Sequence, residues 1–99
     1  MTHRDSIVDL LHRAIDSINA QLPTAKKMAK SPDFPLIGPH SSVESLTLMS
    51  FIVDAEERIH DELGVELVLS DHIGLPLEQN PFRTLDSLAS DLAMRLDPR

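Results

Sequence analysis

The sequence has 99 residues, of which 41% are hydrophobic, with three phenylalanines, no tryptophan or tyrosine and no cysteine. A chain of this length forms one small domain with a mainly aliphatic core, and the lack of cysteine excludes disulfides, thiolate metal sites and a thiol nucleophile. The net charge of −7 is divided between +1 on residues 1–43 and −8 on residues 44–99, which disfavours binding to nucleic acid and favours basic protein partners.

A first helix is predicted over residues 5–22, with Asp5 or Ser6 as its cap and Pro23 as its end. Its apolar residues recur at the helical spacing, so one side of the helix should be buried. That predicted stripe consists of Ile7, Leu11, Ala14, Ile15, Ile18 and Leu22.

A long connection with four prolines follows over residues 23–43. It carries a small basic cluster, Lys26, Lys27 and Lys30, which we interpret as solvated charge facing the acidic second helix, with a partner contact as the alternative. Three apolar residues should fold the connection back onto the core: Phe34, Leu36 and Ile37.

A second helix is predicted over residues 42–63, with Gly64 as its C-terminal stop. Ser41 and Glu44 have the S-x-x-E spacing of a capping box, which would place Ser45 one turn into the helix. A phosphate ester on Ser45 would be stabilised there by the helix dipole, although most serines near a helix start are ordinary surface residues.

This helix carries two apolar stripes. The wider stripe is typical of a surface that faces a core and consists of Leu48, Phe51, Ile52, Ala55, Ile59 and Leu63. The second stripe, Leu46, Met49 and Val53, is rotated away from the first and adjoins Ser45. It is either buried under the preceding connection or contacts a partner.

Residues 65–80 have no clear helical period. Three apolar residues alternate as in a strand: Val65, Leu67 and Leu69. Since a lone strand has no pairing partner, we expect an extended segment packed on the bundle. Ser70 or Asp71 can cap a short helix, which Gly74 and Pro76 interrupt.

A last helix is predicted over residues 84–96, with Thr84 as its cap. Its stripe consists of Leu85, Leu88, Leu92 and Leu96. The sequence thus predicts an all-α bundle of three main helices, a short additional helix and a long loop between the first two helices. We expect a single domain over residues 1–99, with frayed termini at 1–4 and 97–99.

Residues 36–70 resemble the acyl carrier protein family, and the similarity continues loosely from Pro81 to Leu96. Members attach 4'-phosphopantetheine to the serine of an Asp-Ser-Leu motif at the start of their second helix, and Glu44-Ser45-Leu46 takes that place here. At the family's spacing from the serine, its apolar core positions match Phe51, Ile52, Ala55 and Ile59, and its acidic pair matches Glu56-Glu57. Its "Phe-Gly-Ile/Val" segment resembles Leu63-Gly64-Val65-Glu66-Leu67.

The resemblance implies a stand-alone carrier, expected to be a monomer, that holds an acyl or aminoacyl group as a thioester on a 4'-phosphopantetheine arm. The arm would come from coenzyme A and be attached to Ser45. Expected partners are a phosphopantetheinyl transferase, an acyl- or aminoacyl-loading ligase and downstream acyl-transfer enzymes. The implied partner-binding residues are Glu44, Leu46, Met49, Val53, Glu56 and Glu57.

The family also uses the segment after its second helix to line a cavity for the acyl chain. By resemblance Ile73 and Leu75 would line it, whereas their apolar character alone predicts ordinary core residues.

Other functions stay open. The motif aspartate is Glu44, and two acids common in the family are replaced by Thr47 and Ser50, which favours an unmodified helical interaction module as the alternative. An enzyme using Ser45 or a histidine would need a base and an orienting group, and no such set is visible, so we expect no enzyme. With no apolar run of membrane-spanning length and no signal segment, we expect a soluble cytoplasmic protein.

Overall fold

The computed structural model describes residues 3–96 and has three α-helices: α1 (His3–Asn19), α2 (Ser45–Leu63) and α3 (Leu85–Leu96). There is no strand within residues 3–96, and residues 20–44 form a long loop between α1 and α2. The all-α prediction and the long loop are therefore confirmed. Four single 3₁₀ turns occupy Thr24–Lys26, Ser70–His72, Leu77–Gln79 and Pro81–Arg83.

The core lies between the three helices and is closed by the loop. All the predicted α2 stripe is buried except Leu63, which belongs to the last turn and is 39% exposed. Leu63 instead borders a small pocket at the end of the bundle. The other buried apolar side chains are Ile7, Leu10, Leu11, Ala14, Ile15, Met28, Leu36, Leu69, Phe82, Leu85, Leu88, Ala89 and Leu92.

The bounds of α1 differ from the predicted range of 5–22. The helix already includes His3 and Arg4, so Asp5 and Ser6 both lie inside it and neither is its cap. At the other end α1 stops at Asn19, and the N–H groups of Gln21 and Leu22 donate to Ile18 O and Asn19 O in tighter turns, so the helix ends three residues before the predicted position. Residues 1–2 and 97–99 of the predicted frayed termini lie outside the described residues.

The start of α3 is the predicted one. Ser87 N–H donates to Thr84 Oγ1 at 3.0 Å, and Thr84 N–H donates to Ser87 Oγ at 2.9 Å. This is a reciprocal capping box in which a serine takes the position more often held by glutamate. This capping box fixes the first turn of α3, whose backbone N–H groups bond to the long loop.

Hydrogen bonds hold the long loop against α1 and α3. Asn19 closes its beginning, since its side chain donates to Met28 O at 2.9 Å and accepts from Met28 N–H at 2.8 Å. Further on, Leu85 N–H donates to Phe34 O and Asp86 N–H donates to Pro32 O. Leu36 is fully buried and Phe34 and Ile37 pack on the core, as predicted.

Residues 65–80 follow the bundle as an extended segment and then as short turns. The predicted alternation holds, with Leu69 buried and Val65 and Leu67 half-buried. The short helix is one 3₁₀ turn preceded by Leu69, so Ser70 and Asp71 lie inside it and do not cap it. Asn80 is 2% exposed and holds the segment by donating to Ile73 O and Leu75 O.

Arg13 joins the middle of α1 to the end of α2. Its guanidinium donates to both carboxylate oxygens of Glu62 at 2.6 Å, and its Nε donates to Asp9 Oδ2 at 3.1 Å. These bidentate hydrogen bonds favour the ionised carboxylate and lower the pKa of Glu62 below its ordinary 4.5. Glu62 also raises the pKa of Arg13.

The stabilisation by this ion pair should depend on pH. Because the pKa of Glu62 is lowered in the folded state, its contribution is complete above pH 4.5 and is lost as the pH falls through the lowered value. Glu62→Gln should be less stable than the wild type at neutral pH, and the difference should shrink below pH 4.5. Urea unfolding at several pH values between neutral pH and pH values below 4.5 measures this difference in the free energy of unfolding, with Glu66→Gln at an exposed position as control. A stability difference that does not change with pH would contradict the expectation.

Candidate functional site

The start of α2 is the candidate site, and it lies later in the chain than predicted. Glu44 is the N-cap, with extended backbone (ψ 151°), and Ser45 is the first helical residue. The first hydrogen bond of the helix runs from Leu48 N–H to Glu44 O at 2.8 Å. Glu44 makes no side-chain capping bond, so the predicted capping box with Ser41 is wrong.

The hydroxyl of Ser41 is used in a turn before the helix. It donates to Leu36 O at 3.0 Å and accepts from Val43 N–H at 3.1 Å. Such local bonding competes with helix capping, and here it keeps the chain out of the helix until Ser45. Since Leu36 is buried, the turn is anchored to the core, and it places Ser45 at the exposed end of α2.

The rotation of α2 exposes the second apolar stripe. Leu46 is 79% exposed, Met49 41% and Val53 48%. The loop does not cover these side chains, so the interpretation as a buried stripe is excluded. Glu57 is also exposed and follows Val53 by one turn. We call the exposed side of α2 formed by Ser45, Leu46, Met49, Val53 and Glu57 the outer face.

A shallow groove runs along one edge of the outer face. Ile18 of α1 and Gln21, just after that helix, line one side, and α2 supplies Met49, Val53 and Glu57 among others. The groove is open to solvent, and it extends the apolar surface beyond the three exposed side chains. Helix α2 thus presents an apolar band with an acid at its far end.

The three acids predicted to bind partners have different surroundings. Glu44 Oε2 accepts from Lys26 Nζ at 2.7 Å, so its charge is paired within the chain. Glu56 is half-buried, and its Oε2 accepts from Leu69 N–H at 2.7 Å, which anchors the segment after α2. Glu57 is exposed, and it borders an acidic depression that includes Asp61 and Glu66.

The two residues predicted by resemblance to line an acyl-chain cavity differ in burial. Ile73 is half-buried against the core and Leu75 is 39% exposed, and the acyl-chain role suggested for them stays a prediction. Sequence reasoning missed Met28 and Asn80 as buried residues of the framework. Within residues 3–96, no helix is both long and apolar enough to cross a membrane.

Comparisons with protein-family models, curated proteins and solved structures find no match for this chain.

Glu56 and Glu57 should respond differently to removal of their carboxylates. Glu56→Ala leaves the amide of Leu69 without its charged acceptor and should lower the free energy of unfolding by about 1–3 kcal/mol. Glu57→Ala removes an exposed group and should change stability by no more than about 0.5 kcal/mol. Chemical denaturation measures both variants, and hydrogen exchange of the Leu69 amide should accelerate only in Glu56→Ala. Equal stability of the two variants would contradict the structural role of Glu56.

Proposed function

We propose that this chain is a carrier protein that receives a 4'-phosphopantetheine arm on Ser45 Oγ and presents a thioester-bound acyl or aminoacyl group to partner enzymes. The observation that carries the proposal is the exposure of Glu44-Ser45-Leu46 at the first turn of α2. Because these residues are exposed, a transferase would have access to the hydroxyl and an attached arm would extend into solvent.

The start of α2 suits a phosphodiester on Ser45. The N-cap side chain does not occupy the first-turn N–H groups, and these groups and the helix dipole favour a nearby anion. The attached group would supply a terminal thiol that carries the cargo. Ser45 Oγ would bond to the phosphorus next to pantetheine in coenzyme A, and the diphosphate P–O bond would break with adenosine 3',5'-bisphosphate as the leaving group. The hydroxyl proton would pass to a base supplied by the transferase.

The chain would contribute attachment and recognition, without bond chemistry of its own. A flexible tether raises the effective concentration of a cargo at successive enzymes. The outer face would supply the contacts: the apolar side chains Leu46, Met49 and Val53 exclude water, and Glu57 attracts basic residues. Since the face is small and open, each contact should release readily, as a carrier requires.

Modification of Ser45 is tested by intact mass. After incubation with coenzyme A, Mg²⁺ and a broad-specificity phosphopantetheinyl transferase, the wild type should gain about 340 Da, one phosphopantetheine. Ser45→Ala should gain nothing and keep its helical circular dichroism, because Ser45 is an exposed residue. Ser42→Ala and Ser50→Ala, two other exposed serines, are matched controls that should load normally. Loading of Ser45→Ala would place the modification on another residue.

The outer-face acid is tested by charge reversal. Glu57→Lys should slow loading about two- to tenfold, mainly through KM, and added salt should reduce the difference between variant and wild type. Asp61→Lys makes the same charge change one helical turn further from Ser45 and should have a smaller effect. The kcat and KM of loading at low and high ionic strength separate these expectations. If Glu57→Lys is loaded with the kcat and KM of the wild type, Glu57 does not contribute to recognition by the transferase.

An unmodified interaction module is the second candidate. The three exposed apolar side chains of the outer face favour it, because they could bind a partner without any arm. The absence of a mass gain with several transferases, on protein shown to be folded, would support this candidate over the carrier.

A further inference from the structure

The side chain of Lys26 lies at the candidate modification site although it is 18 residues away from Glu44 in the chain. Its ammonium is 2.7 Å from the carboxylate of the residue that directly precedes Ser45. We infer that Lys26 is a specificity-determining residue, which masks Glu44 and disfavours enzymes that approach Ser45 with basic residues. This inference rests on the proposed modification of Ser45 and concerns which enzymes can recognise that site.

The backbones on both sides of this ion pair are fixed by other bonds. Lys26 ends the turn Thr24–Lys26, where its N–H donates to Pro23 O, and Met28 is held by Asn19. Glu44 is held by its carbonyl, which accepts the first hydrogen bond of α2. Removing the ammonium should therefore free the carboxylate without moving the loop or the helix.

Both side chains of the pair are accessible, with 57% of Lys26 and 60% of Glu44 exposed. An exposed pair contributes little to stability, so its loss should leave the fold intact. Its effect on recognition is different, because an approaching enzyme encounters either a neutralised pair or a free carboxylate next to the reacting serine. A partner with basic residues gains an attractive contact with Glu44 only when Lys26 is absent.

The loop provides a matched control. Lys30 Nζ pairs with Asp16 Oδ1 at 2.8 Å, and its side chain is 45% exposed. Lys30→Met therefore removes the same charge from the same loop and breaks a similar ion pair, but it frees a carboxylate on α1. Lys26→Arg preserves the charge at position 26 and should behave like the wild type.

The test is the rate of phosphopantetheine transfer to Ser45 at low ionic strength, with a transferase known to have a basic carrier-binding surface. Lys26→Met should raise kcat/KM about two- to fivefold relative to Lys30→Met, mainly by lowering KM, and the gain should fade with added salt. This gain in kcat/KM should be absent from the double variant Lys26→Met/Glu44→Gln, because that variant has no freed carboxylate next to Ser45.

The outcomes separate the inference from the proposed function. If Ser45 is loaded and Lys26→Met reacts no faster than Lys30→Met, the role of Lys26 is rejected and the carrier proposal stands. A gain that survives Glu44→Gln would also reject masking of Glu44. If none of the folded variants gains mass with any transferase, the carrier proposal fails, and the role of Lys26 fails with it.

Discussion

Burial of one side of α2 fixes the rotation of this helix, and the rotation decides which of its residues reach solvent. Phe51, Ala55 and Ile59 are fully buried at helical spacing, so turning the helix would expose them and would cost several kcal/mol. The outer face is the consequence. Leu46 and Val53 cannot turn inward while the opposite side fills the core, and they therefore remain available for contacts with other proteins.

The long loop determines where α2 begins. Its residues have few partners in regular secondary structure, so other groups must satisfy their backbone atoms. Asn19, the first turn of α3 and the hydroxyl of Ser41 supply these bonds at successive points along the loop. Leu36 is buried, and it lies between Phe34, which bonds to α3, and Ser41. The turn before Ser45 is therefore attached to the core. The position of Ser45 thus depends on residues far from it in sequence.

Helical periodicity predicted the three helices and most of the core, because burial of one helix face leaves a repeated apolar pattern. The start of α2 was predicted wrongly because S-x-x-E is a local pattern. Whether the hydroxyl of Ser41 caps the helix or closes a turn depends on the position of the Leu36 carbonyl in the folded chain. The same limit applies to Glu56, whose partner is an amide 13 residues away, and to Asn80, whose burial depends on two carbonyls of a non-helical segment.

The charge of −8 counted over residues 44–99 gives a poor estimate of the acidity that a partner would meet there, because cations of residues 1–43 pair with some of these acids. Several acids after residue 43 are paired within the chain: Glu44 with Lys26, Asp54 with Arg58, Glu62 with Arg13, Asp86 with Arg4 and Asp91 with Arg95. Glu56 is occupied by a backbone amide. The acids left on the exposed side of α2 are therefore concentrated in its second half, at Glu57 and Asp61, while the turn that contains Ser45 is close to neutral. In the proposed function, long-range attraction and local recognition at Ser45 would then come from different groups, and Lys26 would control the local part.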